Sequence, residues 1–101
     1  MEKRRPHYRL SIIQKIVADP AARVFTASAL DGALEMGLTE AEMRSVVCGM
    51  SSLQFYKSMT THRDHAVWQD VYHAMTPVGI VAYIKITGGR PSAGDPVQAQ
   101  G

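Results

Sequence analysis

The sequence predicts an α+β domain in which N-terminal helices pack on one face of a small antiparallel sheet and leave the other face open to a ligand. Two observations carry this. From Leu10 to Met50, apolar residues recur at helical spacing between capping and stop signals. From Phe55 to Thr87 the pattern changes to β-branched and aromatic words separated by turn residues. The size agrees: 101 residues, 46% hydrophobic and 20% charged, suit one domain with one modest core and argue against general disorder.

Leu10, Ile13, Ile16 and Val17 share a face of the first helix, which Ser11 can cap and Asp19-Pro20 stops. A second helix begins near Thr26, turns Ala29, Leu30, Ala33 and Leu34 inward, and ends at Gly37, where a left-handed terminus is cheap. Thr39 and Glu42 have the spacing of a capping box for a third helix with the stripe Met43, Val46, Val47 and Met50. Cys48 beside that stripe reads as a buried, inert thiol.

Three strands come next: Tyr56 to Thr61, Ala66 to Tyr72 and Gly79 to Thr87, divided by His62-Arg63-Asp64-His65 and by Thr76-Pro77. In the last, Ile80, Ala82, Ile84 and Ile86 share one face, while Val81, Tyr83, Lys85 and Thr87 share the other. Tyr83 and Lys85 should therefore project together, away from the helices. Gly88-Gly89 is a strong hairpin turn, but the chain beyond it is rich in proline and glycine. The expectation is a single domain over 1–90 and a disordered tail over 91–101, with the edge of the Gly79 to Thr87 strand uncovered.

Charge and targeting narrow the function classes. Net charge is only +2, yet Asp31, Glu35, Glu40 and Glu42 lie in a stretch without Lys or Arg. The start (Lys3, Arg4, Arg5, Arg9) and the second half (Lys57, Arg63, Lys85, Arg90) are basic, which suits phosphate binding. No apolar run approaches the roughly 20 residues of a spanning helix, so no membrane segment is expected. No signal-peptide core lies behind the charged start, and the lone Cys48 cannot form an internal disulfide, so the expected location is cytoplasmic.

The chemistry-bearing residues gather in two words, Phe55-Tyr56-Lys57-Ser58-Met59-Thr60-Thr61 and Val67-Trp68-Gln69-Asp70-Val71-Tyr72, with Tyr83 and Lys85 beyond. Their side chains can stack on bases, neutralise phosphate, bind a base edge or move a proton. From spacing alone, Lys57 and Lys85 read equally as solvated strand lysines, Tyr56 and Tyr72 as rim or core aromatics, and Trp68 as core. His62 and His65 lack a complete zinc pattern, so no metal site is assigned. No P-loop or dinucleotide fingerprint is present.

With Met1-Glu2-Lys3-Arg4, Pro6-His7 and Arg9-Leu10-Ser11, these words resemble the motility quorum-sensing regulator toxins as far as about Thr87. The resemblance implies a RelE-like toxin fold and an endoribonuclease that cleaves messenger RNA without a metal or other cofactor, inhibiting translation and growth. It places catalytic residues at Lys57, Gln69 and Tyr83; from the chemistry of their side chains, Tyr56, His65, Tyr72, Lys85 and Arg90 are expected as substrate contacts. It also implies a cognate antitoxin that binds zinc and carries a DNA-binding region, so promoter DNA would be reached only through that partner. The family typically closes with a strand ending in Phe-Lys, whose lysine is assigned to catalysis, and this chain has no Lys or Arg after Arg90. The chain is then either an active toxin or a catalytically impaired homologue that keeps antitoxin binding and a regulatory role.

Overall fold

The computed structural model describes residues 1–61 and 66–87, and the backbone of 97–100. Its elements run β1 (Glu2–Lys3), α1 (Leu10–Ala18), α2 (Ala27–Met36), α3 (Glu40–Cys48), a short 3-10 turn (Ser52–Gln54), β2 (Phe55–Thr60), β3 (Trp68–Met75), β4 (Val81–Ile86) and β5 (Val97–Gln100). The helices pack on one face of an antiparallel sheet in which the strands lie in sequence order. The α+β architecture read from the sequence is therefore the observed one.

Each helix shows which side chains reach the core. In α1, Ile13 and Val17 are buried with Leu10 partly covered. Ile16, expected inward, is 42% exposed because it falls about 90° around the helix from the centre of that stripe. Ser11 does not cap; Arg9 precedes the helix, and its carbonyl accepts from the backbone N–H groups of Ile12 and Ile13 at 3.1 and 3.2 Å. In α2, Thr26 accepts from the Ala29 N–H at 3.0 Å and Gly37 takes φ 82°, as its sequence requires. Ala29 and Ala33 are its buried residues, and Leu34 points to solvent at 78% exposure. The Thr39–Glu42 capping box of α3 is closed in both directions, at 2.9 and 3.1 Å. Met43, Val47 and Met50 are buried, whereas Cys48 is exposed: it sits one residue past Val47, outside the stripe.

Two polar clamps between α1 and α3 have no counterpart in the periodicity. The Gln14 amide donates to the carbonyls of Val47 and Met50 at 3.0 and 2.8 Å, closing the end of α3 from α1. Reciprocally, the Arg44 guanidinium donates to the carbonyls of Val17, Asp19 and Ala22 at 2.6–2.8 Å, closing the end of α1 from α3. Glu40, one turn earlier, holds the guanidinium at 3.0 Å. Helix-end carbonyls lack intrahelical donors, so a charged donor there replaces water at several acceptors at once. Arg44→Ala is expected to cost about 2–3 kcal/mol in urea unfolding, and Arg44→Lys to recover only part because it loses the planar fork.

The sheet's inner face carries Tyr72, Ala74, Ala82, Ile84 and Ile86 into the helical core. Buried Asp70 lies between strand and N-terminal arm, where its two oxygens accept from the backbone N–H groups of His7 and Tyr8 at 2.9 and 2.8 Å. The arm then lays Lys3 and His7 over the Trp68 ring, at 4.3 and 5.4 Å. Trp68 is thus covered from outside by the arm rather than sunk in the core. The β3–β4 turn is closed by Thr76, whose hydroxyl donates to the Ile80 carbonyl at 2.6 Å, with Gly79 at φ 80°.

The expectation of an uncovered β4 edge requires correction. Of the expected 91–101 tail, 91–96 and 101 lie outside the described residues, as does the Gly88-Gly89 turn. Val97–Gln100 form β5 on the far side of β4, in the register Tyr83↔Gln100 and Lys85↔Gln98. The edge of β4 is therefore covered. This segment contains no proline or glycine, so its backbone can complete the ladder that an open β4 edge offers.

Candidate functional site

The face of the sheet turned away from the helices collects the polar words of the sequence. Register fixes its rungs. Lys57 and Lys85 both pair with Val71, from β2 and β4 respectively, so two ammonium side chains flank a buried valine about 10 Å apart at their Cα atoms. One rung toward the start of β3, Gln69 lies opposite Met59. One rung the other way, Tyr56, His73 and Tyr83 form a continuous stack, with ring centroids 4.5 and 4.1 Å apart. Beyond them Met75 pairs with Val81, both exposed. The face thus runs from a polar rung, through a cationic and an aromatic one, to an apolar rim.

Strict alternation would have put Tyr56 and Lys57 on opposite faces. Instead β2 is irregular between Phe55 and Lys57. Phe55 stays on the inner side against Tyr72, their rings 5.5 Å apart, while Tyr56 and Lys57 both reach the outer face. Re-aiming a side chain in this way is a common use of a bulge.

Lys57 is not free of partners. Its ammonium donates to the Glu2 carboxylate at 2.6 Å, bringing β1 into the site. That hydrogen bond raises the Lys57 pKa and lowers that of Glu2, and Arg4 is near enough to act on both groups. The carboxylate occupies a place that a phosphate oxygen could take. Glu2→Gln is therefore expected to tighten RNA binding by about two- to fivefold, the size of a weak surface ion pair. Because the Lys57 hydrogen bond lowers the Glu2 pKa, native and variant affinities should converge only below the pH at which an ordinary glutamate is protonated. Fluorescence-anisotropy titrations across pH would show it.

Of the residues assigned from sequence, Lys57, Gln69, Tyr83, Tyr56 and Lys85 come from three strands onto one face. Tyr72 does not join them: it is 1% exposed on the inner face, and burial, reinforced by Asp70, pushes its phenol up to about 12. A side chain walled in by Phe55 and the core cannot touch substrate, which corrects its assignment as a contact. His65 and Arg90 lie outside the described residues. His73 and Glu2 are the additions. His73 is legible in principle, four residues beyond Gln69 and so on the same strand face, but the strand word read from the sequence ends at Tyr72. No group of three potential metal ligands gathers among the described residues. Among them, too, no helix is long and apolar enough to cross a membrane.

Comparison with known proteins identifies the family. The family model described as "Motility quorum-sensing regulator, toxin of MqsA" matches residues 5–92. The chain is also 51% identical over 87 residues to the mRNA interferase toxin MqsR of Escherichia coli (strain K12), covering 86% of this chain and 87% of the relative.

Proposed function

The chain belongs to the motility quorum-sensing regulator toxin family, and from that premise we propose that it is an endoribonuclease that cleaves messenger RNA on the outer face of its sheet. The observation that carries this is the convergence of Lys57, Gln69 and Tyr83 from three adjacent strands, with Lys85 beside them. The family relationship implies an antitoxin partner. We further assign that partner the zinc-binding and DNA-binding regions, so that toxin reaches promoter DNA only through it.

The reaction is an internal transphosphorylation. The ribose 2′-oxygen loses its proton and attacks the adjacent phosphorus; the bond from phosphorus to the 5′-oxygen breaks, and that oxygen takes up a proton. The products are a 2′,3′-cyclic phosphate and a 5′-hydroxyl. Lys57 neutralises charge on the phosphate oxygens as the five-coordinate state forms. Tyr83, with Lys85 on the next rung of its strand, moves a proton or donates to the phosphate. Gln69 orients the ribose or reads a base edge, and the half-exposed Tyr56 supports a base.

The test is incubation of the full chain with a defined messenger RNA in EDTA, with and without an equimolar antitoxin. Discrete cleavage that the antitoxin suppresses supports the proposal. Intact RNA beside normal antitoxin binding would leave the impaired reading in its place.

A further inference from the structure

The ring stack on the outer face has a specific geometry. Tyr56, His73 and Tyr83 come from β2, β3 and β4, their centroids 4.5 and 4.1 Å apart and their planes within 27° and 15° of parallel. Those separations approach the roughly 4.8 Å between neighbouring strands. The rings therefore stand on edge across the sheet like parallel plates, instead of lying flat on it as a base-stacking platform would. Both faces of His73 are covered, and so is one face of each tyrosine. Tyr83 is 49% exposed, so part of the residue meets solvent while one face of its ring rests on His73.

His73 makes no polar use of its Nε2 in this position: the atom is buried and has no hydrogen-bond partner among the described residues. Tyr56 and Tyr83 face it from either side, Lys57 and Lys85 occupy the rung above, and Met75 and Val81 the rung below. A buried polar atom without a partner is normally selected against unless the group serves another purpose. Here the flat ring is what the site uses, since an aliphatic side chain could not hold two phenol rings parallel.

Resting on the reading of Tyr83 as a group that meets the RNA, we propose that His73 is a positioning residue for cleavage. By filling the centre of the stack it fixes the Tyr83 ring on edge, so that the hydroxyl rather than the ring face is presented to the scissile phosphate. The role belongs to the ring plane, not to the imidazole charge. Phenylalanine should therefore replace histidine, and alanine should not.

The experiment compares the full chain with His73→Ala and His73→Phe, by RNA cleavage across pH 5 to 8 and by the NMR signals of the Tyr83 ring. His73→Ala is expected to lower kcat by about 10- to 100-fold with KM within about twofold, the scale of a small misplacement of a reacting group. His73→Phe should restore kcat to within a few fold with an unchanged pH profile. The Tyr83 ring signals should move in the alanine variant and return in the phenylalanine one. Native-like cleavage by His73→Ala would overturn the proposal. So would a phenylalanine variant as slow as the alanine one with Tyr83 signals unmoved, which would put the imidazole nitrogen in the chemistry. Silence of the native chain is a different failure, that of the cleavage reading itself. The ring signals then still decide, because an unmoved Tyr83 in His73→Ala overturns the positioning role.

Discussion

Lys57→Ala is expected to reduce RNA cleavage by about 100- to 1,000-fold, the usual effect of removing one well-placed donor from a developing oxyanion. The loss should fall on kcat more than on KM, since the charge matters most when negative charge accumulates on phosphate. Stability should hardly change: the Lys57 ammonium pairs with exposed Glu2 and lies 5.4 Å from the Tyr56 ring centroid, and such surface contacts contribute little. Lys85 cannot substitute from the far side of Val71, about 10 Å away across two strand spacings. Lys57→Arg keeps the charge in a different shape, so partial recovery would show that position matters as well as charge. Cleavage at the native rate by a folded Lys57→Ala variant would remove this residue from the site.

Tyr72→Ala should have the largest effect on folding. The side chain is among the largest fully buried ones and packs edge-on against Phe55. Truncating a buried aromatic ring to alanine costs about 3–5 kcal/mol through lost transfer energy and the cavity left behind. For a domain of this size, that lowers Tm by about 12 °C or more. Tyr72→Phe keeps the ring and should cleave RNA normally, because the phenol is buried on the inner face, away from Lys57 and Tyr83. A Tyr72→Ala variant of native stability with weakened RNA binding would contradict this placement and return the residue to the substrate face.

How much of the fold is legible in the sequence depends on how local each signal is. The Thr39–Glu42 box, the Gly37 terminus and the alternation of Tyr83 and Lys85 against Ala82, Ile84 and Ile86 depend on a few neighbouring residues. Each is readable, and the burial pattern matches. The site residues Lys57, Gln69 and Tyr83 are placed by resemblance, and their common face emerges only from register between strands. The Tyr56 bulge is not readable because it depends on how β2 meets β3, and without it Tyr56 would point inward. Long-range clamps, Arg44 on the end of α1 and Asp70 on the N-terminal arm, join residues tens of positions apart and leave no periodic trace. The strand at Val97–Gln100 escapes a sequence reading for a related reason: a weak β-former can pair when a waiting edge supplies the partners.

The most direct test of the outer face as a ribonuclease surface is cleavage in EDTA of an RNA and of its twin carrying a single 2′-deoxynucleotide immediately 5′ of the cut, with product ends identified by mass spectrometry. The expected result is a 2′,3′-cyclic phosphate and a 5′-hydroxyl from the RNA, and no cut at that position in the twin. Cleavage of both substrates, or a 5′-phosphate product, would contradict attack by the 2′-hydroxyl and the roles assigned to Lys57 and Tyr83.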